Sequence, residues 1–240
     1  VAVCSEISQS GRPFRHSLPL TSVALVLLCG AMPVVPASAA SSQTLSSFCA
    51  RSSCTDGTSP AADLVMDAAG RLFGTTAGGG THGSGTVFEM QRDTGTGKWT
   101  RRFLHSFCGR GYPCSDGTTP TGRLVVDVAG NFYGTALGGN TNDAGVVFEL
   151  VKDLLQDKWA YRVLYPFCSR SKCTDGSKSA SGLTYFGESA GAPYDGVAAL
   201  YGTTEYGGLH GQGIAFRIAP VIGRTRWDER VLYHFCPNAG

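Results

Sequence analysis

Three acidic turns, Asp56-Gly57, Asp116-Gly117 and Asp175-Gly176, each follow a close pair of cysteines: Cys49/Cys54, Cys108/Cys114 and Cys168/Cys173. Their carboxylates, joined by Asp67 or Asp127, could supply oxygen ligands to calcium. That ion needs about six to eight converging oxygens, whereas each loop offers one carboxylate. Asp-Gly is also a common tight turn, because Asp caps its own loop and Gly accepts positive φ. The turn reading is therefore preferred, and no metal or other cofactor is expected.

The cysteine pairs read as local disulfides within an exported chain, nearest neighbour to nearest neighbour. Zinc held by two such pairs is the rival. Spacings of five and six, no histidine in register and an oxidising compartment argue against it. Cys236 has no neighbour and is left unpaired.

Other candidates are weaker. Gly78 to Gly83 matches GxGxxG, but a strand pattern follows where a phosphate-binding site would open a helix. His82 and His210 occupy one loop position in two repeats and form a possible ligand loop. Glu89 and Glu149 recur in register, so they are expected to pair with Arg102 and Arg162. A residue built into every repeat is a structural one, since an active site is made once. The segment Phe186 to Gly196 has no counterpart elsewhere, and its Glu188, Tyr194 and Asp195 are the candidates for a specific site. Phe88, Phe148 and Phe216, with Trp99, Trp159 and Trp227, could stack on carbohydrate, but their fixed place on alternating strands assigns them to an inter-blade core.

These groups are carried by a repeat. Asp67, Gly70, Gly74, Phe88, Trp99 and Cys108 recur sixty residues later as Asp127, Gly130, Gly134, Phe148, Trp159 and Cys168; a third copy follows at an offset of sixty-eight. Each copy reads as four short strands, in the second Leu124 to Asp127, Asn131 to Thr135, Gly145 to Leu150 and Trp159 to Phe167. Apolar residues alternate with period two, and Gly-rich turns separate the segments. The fourth strand carries Lys98, Arg101, Arg102, Arg162 and Arg230, the charges of an exposed edge. The expected fold is all-β, a partial β-propeller of three four-stranded antiparallel blades. A β-trefoil is the alternative. Thr44 to Cys49 aligns with the end of a fourth strand and is expected to form one by itself.

Residues 1–39 have Arg12, Arg15 and His16 before an apolar run and an Ala37-Ser38-Ala39 triplet, the order of a signal peptide. The mature chain is expected to be 40–240, with repeats at about 50–108, 109–168 and 169–236, and to be cut short at its C-terminal end. No membrane span is expected in it. Twenty basic against eighteen acidic residues leave no polyelectrolyte character, so nucleic acid is not an expected partner.

The motif set consists of an aromatic-Cys, a Cys-Thr/Ser-Asp-Gly, Asp127 to Thr135 with Gly145 to Glu149, Asp67 to Thr75 with Gly85 to Glu89, and in weaker form Leu200 to Thr203 with Gly213 to Phe216. It resembles the GloVer (Gloeobacter/Verrucomicrobia) extracellular tandem repeat of "choice-of-anchor" proteins. The resemblance implies an extracytoplasmic repeat protein, often held by a C-terminal sorting segment, with no activity assigned to the repeat. The third copy departs from the pattern, with Arg217 in place of Glu. The expected function is a secreted or cell-surface, non-catalytic binding or scaffold module for a protein or glycan. Self-association or further blades would close its ring. A polysaccharide-active hydrolase or lyase is the alternative.

Overall fold

The structure is a computed structural model that describes residues 42–109, 111–153, 158–223 and 225–236. The expected signal segment, residues 1–39, lies outside the described residues, and so does the position Ala40 where the mature chain would begin.

Twelve strands form among the described residues. The first sheet contains β1 (Val65–Met66), β2 (Leu72–Thr76), β3 (Thr86–Arg92) and β4 (Trp99–Ser106). The second contains β5 (Val125–Val126), β6 (Phe132–Ala136), β7 (Val146–Asp153) and β8 (Lys158–Pro166). The third contains β9 (Thr184–Tyr185), β10 (Leu200–Thr203), β11 (Ile214–Pro220) and β12 (Trp227–His234). Each sheet is a four-stranded antiparallel meander paired in chain order. Three separate blades with no closed barrel give the partial propeller and not the trefoil, whose strands would have to close on one another.

The blades repeat in detail. Gly74 pairs with Phe88, Gly134 with Phe148 and Gly202 with Phe216. At Gly134 a Cβ would come within 2.6 Å of the Phe148 ring, so the ring lies flat on bare backbone. Each third strand then carries a bulge, between Val87 and Phe88, Val147 and Phe148, and Ala215 and Phe216.

Alternation divides each middle strand between two interfaces. Phe148 and Leu150 face one buried cluster with Phe107 and Phe73 of the first blade, while Val147 and Tyr133 face another with Leu200 and Phe216 of the third. Both faces of the second blade are therefore buried, and β7 runs buried from Val146 to Leu150. The fourth strands of the first two blades consist of intermediate and exposed residues, as an edge does, and that of the third departs only at the buried Glu229.

The expectation of a lone N-terminal strand is corrected. Residues 42–47 form no strand; Phe48 packs on Phe88 at 5.1 Å and Arg101 holds Ser46 and the Ser47 carbonyl. Side-chain contacts fix this segment where a ladder was expected.

Candidate functional site

The disulfides are Cys49–Cys54, Cys108–Cys114 and Cys168–Cys173, and Cys236 is free and exposed. Within each loop the aspartate turns inward. Asp56 accepts from the amides of Ala50 and Arg51 and from Arg101. Burial works against its charge, but the two amides and the Arg101 guanidinium hold its carboxyl below the usual range. Asp116 accepts from the Gly109 amide and meets His105 Nε2 at 3.1 Å. Asp175 accepts from Ser169 N and Oγ, Arg170 N and the Tyr165 hydroxyl. All three carboxylates are thus engaged by their own loops, and no group of three or more His, Cys, Asp or Glu side chains converges among the described residues.

A cleft of about 460 Å³ lies between the second and third blades, lined by Glu149, Arg162, Gly196, Arg226 and Trp227 among others. Blade two supplies the acids. The Tyr133 hydroxyl lies 3.0 Å from Asp127 Oδ2 and 3.0 Å from Glu149 Oε1, and one phenolic proton cannot serve both. Burial, reinforced by the charges of Glu149 and Asp127, pushes the phenol far above its ordinary value, so it stays protonated. Arg162 stands 3.7 Å from the other Glu149 oxygen.

Blade one shows what has changed. There Arg71 spans the same two positions, touching Asp67 Oδ2 at 2.6 Å and Glu89 Oε1 at 3.0 Å, and Arg102 takes the second Glu89 oxygen at 2.8 Å. Asn131 and Tyr133 in place of Arg71 and Phe73 therefore remove one positive charge from between the acids. The Glu89–Arg102 and Glu149–Arg162 pairs are those expected from the alternation.

The unrepeated segment closes one side of the cleft. Its Glu188 is held by Arg123 and Thr184, and Asp195 caps the amides of Val197 and Ala198. Tyr194 is fully buried, with its hydroxyl on the Ala198 carbonyl and its ring 5.2 Å from that of Tyr133. Gly196 sits directly over Asp127, where a Cβ would meet Oδ2 at 2.8 Å. Glu188, Tyr194 and Asp195 thus build the wall and leave Gly196 as its lining residue. His82 and His210 lie in loops of different blades and neither lines this cleft.

The match to known families follows the same repeat. The model of the Gloeobacter/Verrucomicrobia repeat matches residues 34–198. The chain belongs to this family. Among curated proteins no match accompanies it. The GloVer match covers the first two blades and the unrepeated segment, the part that supplies Glu149 of the cleft, its Gly196 wall and Asp127 beneath that wall.

Phe88, Phe148 and Phe216 are buried, and each receives the phenylalanine that precedes the cysteine loop before its blade, namely Phe48, Phe107 and Phe167. Trp227 is different. Like Trp99 and Trp159 it is half-buried, but it packs against Tyr133 and lines the cleft. A sequence reading that treats the three tryptophans alike misses it, because the difference arises from Gly196 on the opposite wall.

Proposed function

We propose that this GloVer repeat protein is an extracytoplasmic, non-catalytic binding module that holds a glycan chain in the cleft between its second and third blades. The observation that carries this reading is the placement of Trp227 beside Glu149, Arg162 and Arg226 in a cleft walled by the single unrepeated segment. An indole face with planar charged groups around it suits a sugar ring and its hydroxyls. Two features favour binding over turnover: Asp127 and Glu149 share one phenol between them, and Asp127 lies beneath Gly196. Three disulfides and the absence of a long apolar helix among the described residues are compatible with export.

The test is a saccharide array probed with the full chain and with Trp227→Ala. Retention of a saccharide by the full chain and its loss in the variant supports the reading. A protein partner with no saccharide signal, or bond cleavage abolished by Glu149→Gln, overturns it.

A further inference from the structure

A second single-copy feature lies along the same strand as Trp227 but in a different cavity. Three cross-strand partners are equivalent in the three blades: Arg101 opposite Met90, Tyr161 opposite Leu150, and Glu229 opposite Ile218. In blade one Arg101 reaches back to Asp56 at 3.0 Å and covers the Phe48 ring at 4.4 Å. In blade two Tyr161 donates to the Asp116 carbonyl and stacks on His105 at 4.0 Å. Both places are closed by bonds within the protein.

In blade three the place is open. Glu229 lines a cavity of about 400 Å³ with Arg170, Thr174, Leu209, Arg230, Val231 and His234. Its side chain has no solvent exposure, yet neither carboxylate oxygen makes an aligned hydrogen bond: the nearby Tyr165 hydroxyl is committed to Asp175, and Arg170 Nη2, 3.0 Å from Oε2 as an ion pair, donates instead to the Glu229 carbonyl. Asp175, the counterpart of Asp56, already has four donors and has no need of a cation at position 229. A buried carboxyl short of aligned donors, with one ion pair and a tyrosine hydroxyl committed elsewhere, weakens the fold, and a ligand that donates to it recovers that loss.

We infer that this cavity is a binding site for one sugar unit, whose vicinal hydroxyls meet Glu229 and the guanidinium of Arg170 or Arg230. One hydroxyl donates to Glu229 and its neighbour accepts from arginine, a pairing that a Glu beside Arg can satisfy and a simple anion cannot. Leu209 and Val231 supply the apolar wall for the ring, and the volume lies within the range of small-ligand pockets. Burial, with the charges of Asp175 and Asp228 acting the same way and Arg170 against them, pushes the carboxyl up to about 7. A group that carries its proton part of the time near neutrality favours a hydroxyl over an ammonium. The site shares no residue with the cleft at Trp227 and does not depend on the cleft being occupied.

The experiment is titration calorimetry of the full chain with neutral, amino and acidic hexasaccharides, repeated on Glu229→Gln, Thr174→Val and Trp227→Ala. The Gln variant keeps the shape, and Thr174→Val reports on the same cavity without touching the buried acid. The expected result is a saccharide whose affinity falls about tenfold in Glu229→Gln and at least threefold in Thr174→Val, with binding at this site retained in Trp227→Ala. A loss confined to Trp227→Ala overturns the cavity while leaving the cleft standing. Absence of any saccharide binding below about 10 mM overturns it as well.

Discussion

Phe107 and Phe148 meet edge to face with their ring centroids 5.4 Å apart, and this contact joins the residue that follows the last strand of one blade to the third strand of the next. Phe167 and Phe216 repeat it at 5.1 Å. The residue before each cysteine loop is therefore a plug inserted into the following blade. Phe107 is fully buried, so Phe107→Ala leaves a cavity that rigid sheets cannot collapse. The variant should lose about 3–5 kcal/mol, read as a fall in the urea midpoint with an unchanged slope. An unchanged midpoint would show that the blades do not rely on the plug.

Reducing the disulfides should weaken the protein without dissolving its blades. Each bridge closes a loop of only five or six residues, which limits the chain-entropy contribution to about 2 kcal/mol apiece. The ladders and aromatic cores do not pass through the sulfurs. Far-ultraviolet circular dichroism in excess dithiothreitol should keep its sheet signal while the thermal midpoint drops; complete unfolding at ambient temperature would contradict this.

Asp175 gathers donors at both oxygens, three of them at Oδ2 within 2.8 Å. Asp175→Asn turns a donor toward donors on one side or the other, so the cost should be about 2–4 kcal/mol by chemical denaturation. Adding calcium or a chelator should leave the midpoint of the unsubstituted chain in place, because the carboxylate is already saturated by Ser169, Arg170 and Tyr165. A calcium-dependent rise in the midpoint would restore the metal reading of Asp56, Asp116 and Asp175.

Much of the fold is legible in the sequence because a blade is made of local hairpins whose turns and alternation are written in consecutive residues. The expected strand Asn131 to Thr135 falls one residue from the observed Phe132–Ala136, and Glu89 faces Arg102 as alternation requires. What escapes is anything decided across blades. Arg71 and Asn131 look like an ordinary polar exchange until Arg71 is seen to bridge Asp67 and Glu89, where in the second blade the Tyr133 phenol stands between Asp127 and Glu149. Glu229 looks like one more edge charge beside Arg230, and its burial depends on Arg170, 59 residues earlier. The N-terminal segment fails for the opposite reason. Its sequence matches a fourth strand, but Arg101 takes its Ser46 hydroxyl and Ser47 carbonyl through side-chain bonds.

Glu229 also sets a pH dependence. Burial raises its carboxyl to about 7 in the folded protein from an ordinary value of 4.5. The folded state then holds a proton that the unfolded chain has released, so stability is greatest below about pH 4.5 for this group and declines as pH rises through 7. The shift corresponds to about 3 kcal/mol. Arg170 and the Tyr165 hydroxyl oppose it, Asp175 and Asp228 add to it, and Arg230 and His234 also line the cavity. Carboxylates held low, such as Asp143 beside Lys178, lose their contribution only in acid, and the histidines are common to both proteins, so the difference from Glu229→Gln between pH 5 and 8 isolates Glu229. Denaturation of the unsubstituted chain across that window should show stability falling by about 2–3 kcal/mol relative to Glu229→Gln, whose amide does not titrate. Parallel profiles for the two proteins would mean that Glu229 is ionised throughout and that Arg170 alone meets its needs.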